Sequence, residues 1–223
     1  MSQLPLDMPF AGKAGRDAFL VSRCNELALA WIDRWPDWPG ACRALNIAGP
    51  TGAGKSHLAK IWQDRVTNVI MLDGLGDADG FVEGGFYVLD HIQPSAAWDE
   101  EALFHLFNHC RHSGGLLLLS DQPVGQMGWQ LPDLRSRLRA VTMVEIALPD
   151  DSLLAALLAH YFTERQLVVP PAVLTYLVGR MERSFSAVQR VGAALDARSI
   201  AEKRPLSVAL ARSVLEDLTS LKN

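Results

Sequence analysis

Apolar runs of five or six residues, separated by longer stretches in which apolar positions recur every three or four, pattern the first two thirds of this chain. Ala44 to Ala48, Asn68 to Leu72, Phe86 to Asp90, Gly115 to Ser120 and Thr142 to Ile146 read as five buried strands. Between them lie helix signals. Ser56 to Val66 places Leu58, Ile61, Trp62 and Arg65 at helical spacing, Asp99 to Arg111 opens on acidic residues, and Leu131 to Arg139 carries Pro132 near its start. An earlier helix is predicted over Val21 to Arg34, with Asn25, Leu29 and Ile32 on one stretch of its surface and Pro36 and Pro39 ending it. Strands alternating with helices predict an α/β fold with a five-stranded parallel sheet covered on both faces, which binds ligands beyond the carboxyl ends of its strands.

From Pro149 onward the strand pattern stops. Residues 150–165, 171–181, 184–201 and 207–218 read as four amphipathic helices, with Pro170, Pro171 and Pro205 as punctuation. The first dozen residues, where Pro5 and Pro9 interrupt Leu4, Leu6, Met8 and Phe10, cannot form a regular helix. The expected organisation is a flexible tail over 1–12, an α/β domain over 13–149 and a small helical domain over 150–223.

Composition narrows the function classes. A net charge of −4 over 223 residues argues against nucleic-acid binding through bulk electrostatics. Cys24, Cys42 and Cys110 are scattered and odd in number, which fits reduced thiols and no metal cluster. No export signal opens the sequence, and Leu116 to Leu119 is too short to cross a bilayer, so a soluble, cytoplasmic protein without a membrane partner is expected.

The strongest chemical signal is Gly49-Pro50-Thr51-Gly52-Ala53-Gly54-Lys55-Ser56, which meets every fixed position of the P-loop pattern and lies between a strand and a helix. Its glycines let backbone N–H groups converge on phosphates, Lys55 supplies a charge to the β and γ oxygens, and the Ser56 hydroxyl ligates Mg²⁺. Asp90 ends an apolar run where a Walker B aspartate would hold the metal's water shell, or else caps the following turn. His91 follows it. Asp121, after the Leu116 to Leu119 run, is either a sensor facing the γ-phosphate or the first residue of a loop before Pro123. Arg135, Arg137 and Arg139 form either an arginine finger or a solvated basic face. Arg183 opens a helix of the last domain, from where it could close on a nucleotide.

Four segments resemble the AAA+ module of the bacterial replication initiator DnaA, and more closely its shortened Hda-type regulatory relatives. They are Phe19-Leu20-Val21 with Asn25, Gly49 to Ser56 with His57 and Leu58, Leu118 to Pro123, and Asp133 to Leu138, in the family's order. The resemblance implies an AAA+ P-loop domain followed by a helical lid, and ADP or ATP with Mg²⁺ as cofactor. It implies that the segment from Phe19 to Asn25 lines the adenine pocket, that His57 belongs to the same cofactor-binding motif as Gly49 to Ser56, that Arg137 is an arginine finger acting in trans and that Arg183 is the second sensor, with Asp121 the candidate for the first. An AAA+ hydrolase would usually carry glutamate where His91 stands, so weak intrinsic turnover is expected.

The sequence ends at Asn223, after the lid, so no initiator-type DNA-reading domain is expected. Gln3, Leu4, Leu6 and Met8 lie in a stretch similar to the peptide with which Hda-type proteins bind the DNA sliding clamp. A proline-stiffened segment of this kind loses little entropy on docking. The implied function is a nucleotide-bound regulator that binds the clamp, meets DNA mainly through it, and stimulates ATP hydrolysis by DnaA so that initiation is not repeated. A homodimer stays open. The alternative is a stand-alone DnaA-like ATPase in origin remodelling or helicase loading, and a small-molecule P-loop kinase would need an acceptor pocket that the helical domain does not suggest.

Overall fold

A computed structural model of the chain describes residues 15, 16, 19–76, 81, 82, 84–111 and 114–220. Gln3, Leu4, Leu6 and Met8, and with them the clamp-binding expectation, lie outside the described residues. The five strands are β1 (Ala44–Ala48), β2 (Val69–Leu72), β3 (Phe86–Leu89), β4 (Gly115–Ser120) and β5 (Thr142–Glu145). They form one sheet in the order β2-β3-β4-β1-β5, and every pairing is parallel.

Parallel strands need crossovers, and helices on both faces supply those that follow β1, β3 and β4. The helices of this part are α1 (Glu26–Asp33), α2 (Lys55–Gln63), α3 (Glu100–Cys110) and α4 (Pro132–Ala140). Alternation along the strands divides the side chains. Leu45, Ile47, Leu117 and Leu119 join Leu29, Ile32, Leu58, Ile61 and Trp62 of α1 and α2 in one core, while Leu116, Leu118 and Leu89 join Leu103, Leu106, Leu134 and Leu138 of α3 and α4 in the other. Asp99 caps α3, its carboxylate accepting the Ala102 N–H at 2.7 Å.

Several element boundaries differ from the sequence-based expectation, those of α1 and α2 among them. The helix predicted from Val21 begins at Glu26, because Asn25 Oδ1 accepts the Ser22 N–H at 2.8 Å and Ser22 Oγ accepts the Cys24 N–H, bonds that compete with a helical ladder. Arg65, expected on the core-facing stripe of α2, lies past that helix and pairs with Asp33 at the end of α1, 2.8 Å away.

Helices α5 (Asp151–Glu164), α6 (Pro171–Val178), α7 (Phe185–Glu202) and α8 (Val208–Ser220) form the lid. They bury their own core around Leu154, Leu158, Phe162, Leu177, Val191 and Leu195. In α7, Gly192 lets the Tyr161 ring approach, since a methyl there would stand 2.7 Å from its Cδ1.

Candidate nucleotide site

Strand register builds this site. Ala48 at the end of β1 stands level with Ser120 of β4 and Glu145 of β5, so Gly49 and Asp121 leave the sheet side by side, with Asp90 leaving β3 close by. The Gly49 N–H donates to the Ser120 carbonyl at 3.0 Å, and a methyl at residue 49 would run into the Ile146 carbonyl. Gly52 and Gly54 adopt φ of +79° and +100°, the left-handed region that glycine enters without a Cβ penalty. Gly54 then caps the amino end of α2, where unpaired N–H groups and the helix dipole favour an anion.

Lys55 is 7% exposed, and its ammonium donates to the carbonyls of Gly49 and Pro50 and to Asp121 Oδ1 at 2.9 Å. All three of its donors are therefore engaged. Ser56 is exposed on the first turn of α2. His57, one residue on, meets the Phe19 ring edge to face at 5.1 Å, and its Nε2 is buried without a hydrogen-bond partner among the described residues. Burial pushes the His57 imidazole below its ordinary value of 6.5, against a backbone hydrogen bond to Gly15 and the charge of Asp64.

Phe19 is buried, Leu20 half-buried and Val21 exposed. Asn25 is buried, but its amide is spent on the chain, donating to the Leu20 carbonyl at 3.0 Å and accepting the Ser22 N–H. It shapes the segment that carries Phe19. The segment is tied to the end of β5 by the Ala147 N–H, which donates to the Cys24 carbonyl at 3.1 Å. Asp90 accepts the His91 N–H at 2.9 Å, and His91 takes a left-handed φ of 53° with its ring turned to solvent. That turn accounts for a polar residue with no β-branch at 91.

The structure brings the P-loop, Asp121, His57 and Phe19 together, sets Arg183 one residue before the Ser184 that packs on Gly52, and places Arg137 elsewhere. Arg137 lies on α4 with its guanidinium 4.3 Å from the centroid of the Phe104 ring, and it lines a cavity of about 270 Å³ with Cys42, Phe107, Arg111 and Val141. Cys42 and Val141 precede β1 and β5, so this is the amino-terminal edge of the sheet, a strand's length, about 15 Å, from the chain's own P-loop. Arg135 and Arg139 are exposed. Arg183 pairs with Asp151 at the start of α5, 2.6 Å away.

Two features escaped the pattern. Asn46, fully buried in β1, donates to the Leu118 carbonyl and Ser120 Oγ and accepts the Val124 N–H, which fixes the turn carrying Asp121. An asparagine inside an apolar strand was the available signal. The other is the lid residue Phe185, whose N–H donates to the Gly52 carbonyl at 2.9 Å. Nothing in its local sequence marks it.

The residues fit a nucleotide with Mg²⁺: a glycine cradle at a helix amino end, a buried lysine, an exposed serine hydroxyl and a carboxylate beyond the neighbouring strands. Comparison with known proteins agrees with this fold. Residues 150–215 match the family model described as "Hda, lid domain". The chromosomal replication initiator DnaA of Tropheryma whipplei is 27% identical over 91% of this chain and 48% of its own length, and that of Clavibacter sepedonicus 23% identical over 94% and 49%. The chain thus spans about half the length of the curated relatives it matches. Among solved structures, domain III of Thermotoga maritima DnaA aligns with a TM-score of 0.74 at 15% identity, covering 94% of this chain and 98% of that one. A T. maritima RuvB mutant gives a TM-score of 0.71 at 17% identity over 91% and 71%. DnaA bound to AMPPCP and single-stranded DNA gives 0.64 at 19% over 86% and 68%.

Proposed function

We propose that this chain, a DnaA-related AAA+ protein with an Hda-type lid, is a nucleotide-bound regulator that supplies Arg137 in trans to ATP-bound DnaA. The backbone N–H groups of the P-loop and Lys55 hold the phosphates of ADP or ATP, Ser56 and Asp90 hold Mg²⁺ with them, and Phe19 and His57 flank the base. Asp121 and Arg183 are the sensors of this reading. Bound Mg²⁺ would supply charge neutralisation on the phosphates.

The position of Arg137 carries the reading. It stands at the opposite end of the sheet from the chain's own P-loop, and no carboxylate among the described residues pairs with it. A guanidinium so placed cannot serve its own nucleotide but is free to meet another subunit's, where arginine fingers contribute about 10³ to 10⁵ in rate. The hydrolysis that matters then occurs in DnaA, with the sliding clamp as the anchor that Gln3, Leu4, Leu6 and Met8 engage. Anchoring on the clamp restricts the reaction to replicating DNA, which suppresses repeated initiation.

The test is DnaA-ATP turnover in the presence of clamp loaded on DNA. Wild type stimulates turnover and Arg137→Ala loses at least about a hundredfold of that stimulation. Equal stimulation by the two proteins sinks the finger assignment, and loss of stimulation in a Gln3→Ala, Leu4→Ala double variant tests the anchor.

A further inference from the structure

The amino end of α7 is where the lid meets the phosphate loop. Besides the bond from the Phe185 N–H to Gly52, a methyl built on Gly54 would stand 3.1 Å from Phe185 Cε2, and one on Gly52 would stand 2.9 Å from Ser184 Cβ and 3.6 Å from Ser186 Oγ. An aromatic ring and two serines therefore lie against the two glycines whose left-handed φ shapes the cradle. The arginine of this stretch is engaged elsewhere, by Asp151. Phe185 is only half-buried, and α7 is anchored without it through Ala187, Val188, Val191 and Leu195 in the lid core. Ser184 has a structural task of its own, accepting the Ala187 N–H as the cap of α7.

We propose that Phe185 governs nucleotide exchange at the P-loop, acting as a latch through its N–H on the Gly52 carbonyl and its ring on Gly54. The proposal rests on reading Gly49 to Ser56 as a nucleotide site. Phosphates are held by successive backbone N–H groups of such a loop, so a contact that pins the loop's glycines to the lid slows both the entry and the exit of the ligand. Glycine at 54 is needed twice over, for its φ and for the approach of the ring. Farther along α7, Arg198 pairs with Asp217 near the surface, a kind of contact that contributes little.

The experiment uses the full chain and a fluorescent N-methylanthraniloyl ADP with Mg²⁺ in stopped flow. Phe185→Ala speeds association and dissociation each by about tenfold, as expected for losing one packed aromatic contact. Phe185→Leu gives a smaller change in the same direction, and Arg198→Ala, on the same helix but far from the loop, stays within about twofold. Unchanged rates in Phe185→Ala overturn the proposal.

Amide hydrogen exchange on the nucleotide-free chain separates the latch from the nucleotide reading. Faster exchange over residues 52–56 in Phe185→Ala alone supports the latch, and equal exchange in all variants overturns it even where the fluorescent ADP binds. Failure of wild type to bind that ADP overturns the nucleotide reading and the exchange gate with it.

Discussion

Lys55 has three protons to donate and three acceptors around it, two backbone carbonyls and Asp121. Of these only the Asp121 side chain, which is largely exposed, can leave without moving the backbone, so a phosphate that recruits Lys55 competes first with that carboxylate. The P-loop pattern named Lys55 at once, whereas its pairing with a residue 66 positions away depended on β1 and β4 being neighbours. His57 shows the same division. Its place after Ser56 was legible, but its buried Nε2 and its contact with Phe19 were not. Because its folded-state pKa lies below the ordinary 6.5, the folded chain binds fewer protons than the unfolded chain in mild acid, and stability present above 6.5 is lost as pH falls. The stability gap between wild type and His57→Gln should therefore narrow from about pH 7.5 to about pH 5.5 in urea melts. A constant gap would show that the imidazole is not held neutral.

At the scale of elements, α4 is positioned by a neighbour rather than by its own cap. Leu131 offers no side-chain cap, and the carboxylate of Glu100 on α3 instead accepts the N–H groups of Gln130 and Leu131 at 3.0 and 2.6 Å. Two hydrogen bonds to one ionised group are a strong brace for the segment that carries Arg137. Glu100→Ala is expected to cost about 1 to 3 kcal/mol in denaturant stability and, on the proposed trans role of Arg137, to lower stimulation of DnaA turnover. Unchanged stimulation would separate the brace from the function. Apolar runs located all five strands within a residue or so, because β1, β3 and β4 are buried almost throughout, while the partly exposed edge strands β2 and β5 still carry apolar residues against the helices. The start of α1 was less legible, since Ser22 and Asn25 spend their side chains on a local turn whose geometry no periodicity reports.

For the whole molecule, the sheet domain and the lid each bury their own core, and they meet over the P-loop through α7. A ligand held there binds only the folded chain. ADP or ATP with Mg²⁺ at a hundredfold excess over Kd should stabilise it by about 2.7 kcal/mol, a rise of several degrees in Tm, and Lys55→Ala should abolish the shift. A wild-type Tm that ignores both nucleotides would remove the P-loop from consideration as a working site. Among the described residues no helix is long and apolar enough to cross a membrane. The sequence by itself determined the strands, the phosphate loop, the helical lid and the list of charged candidates, because hydrophobic period and glycine spacing are local properties of the chain. Only the tertiary structure decided which candidates share a site. Strand order set Asp121 on Lys55 and put Arg137 at the far edge, and lid docking set Phe185 on Gly54, because such contacts join residues that only folding makes neighbours.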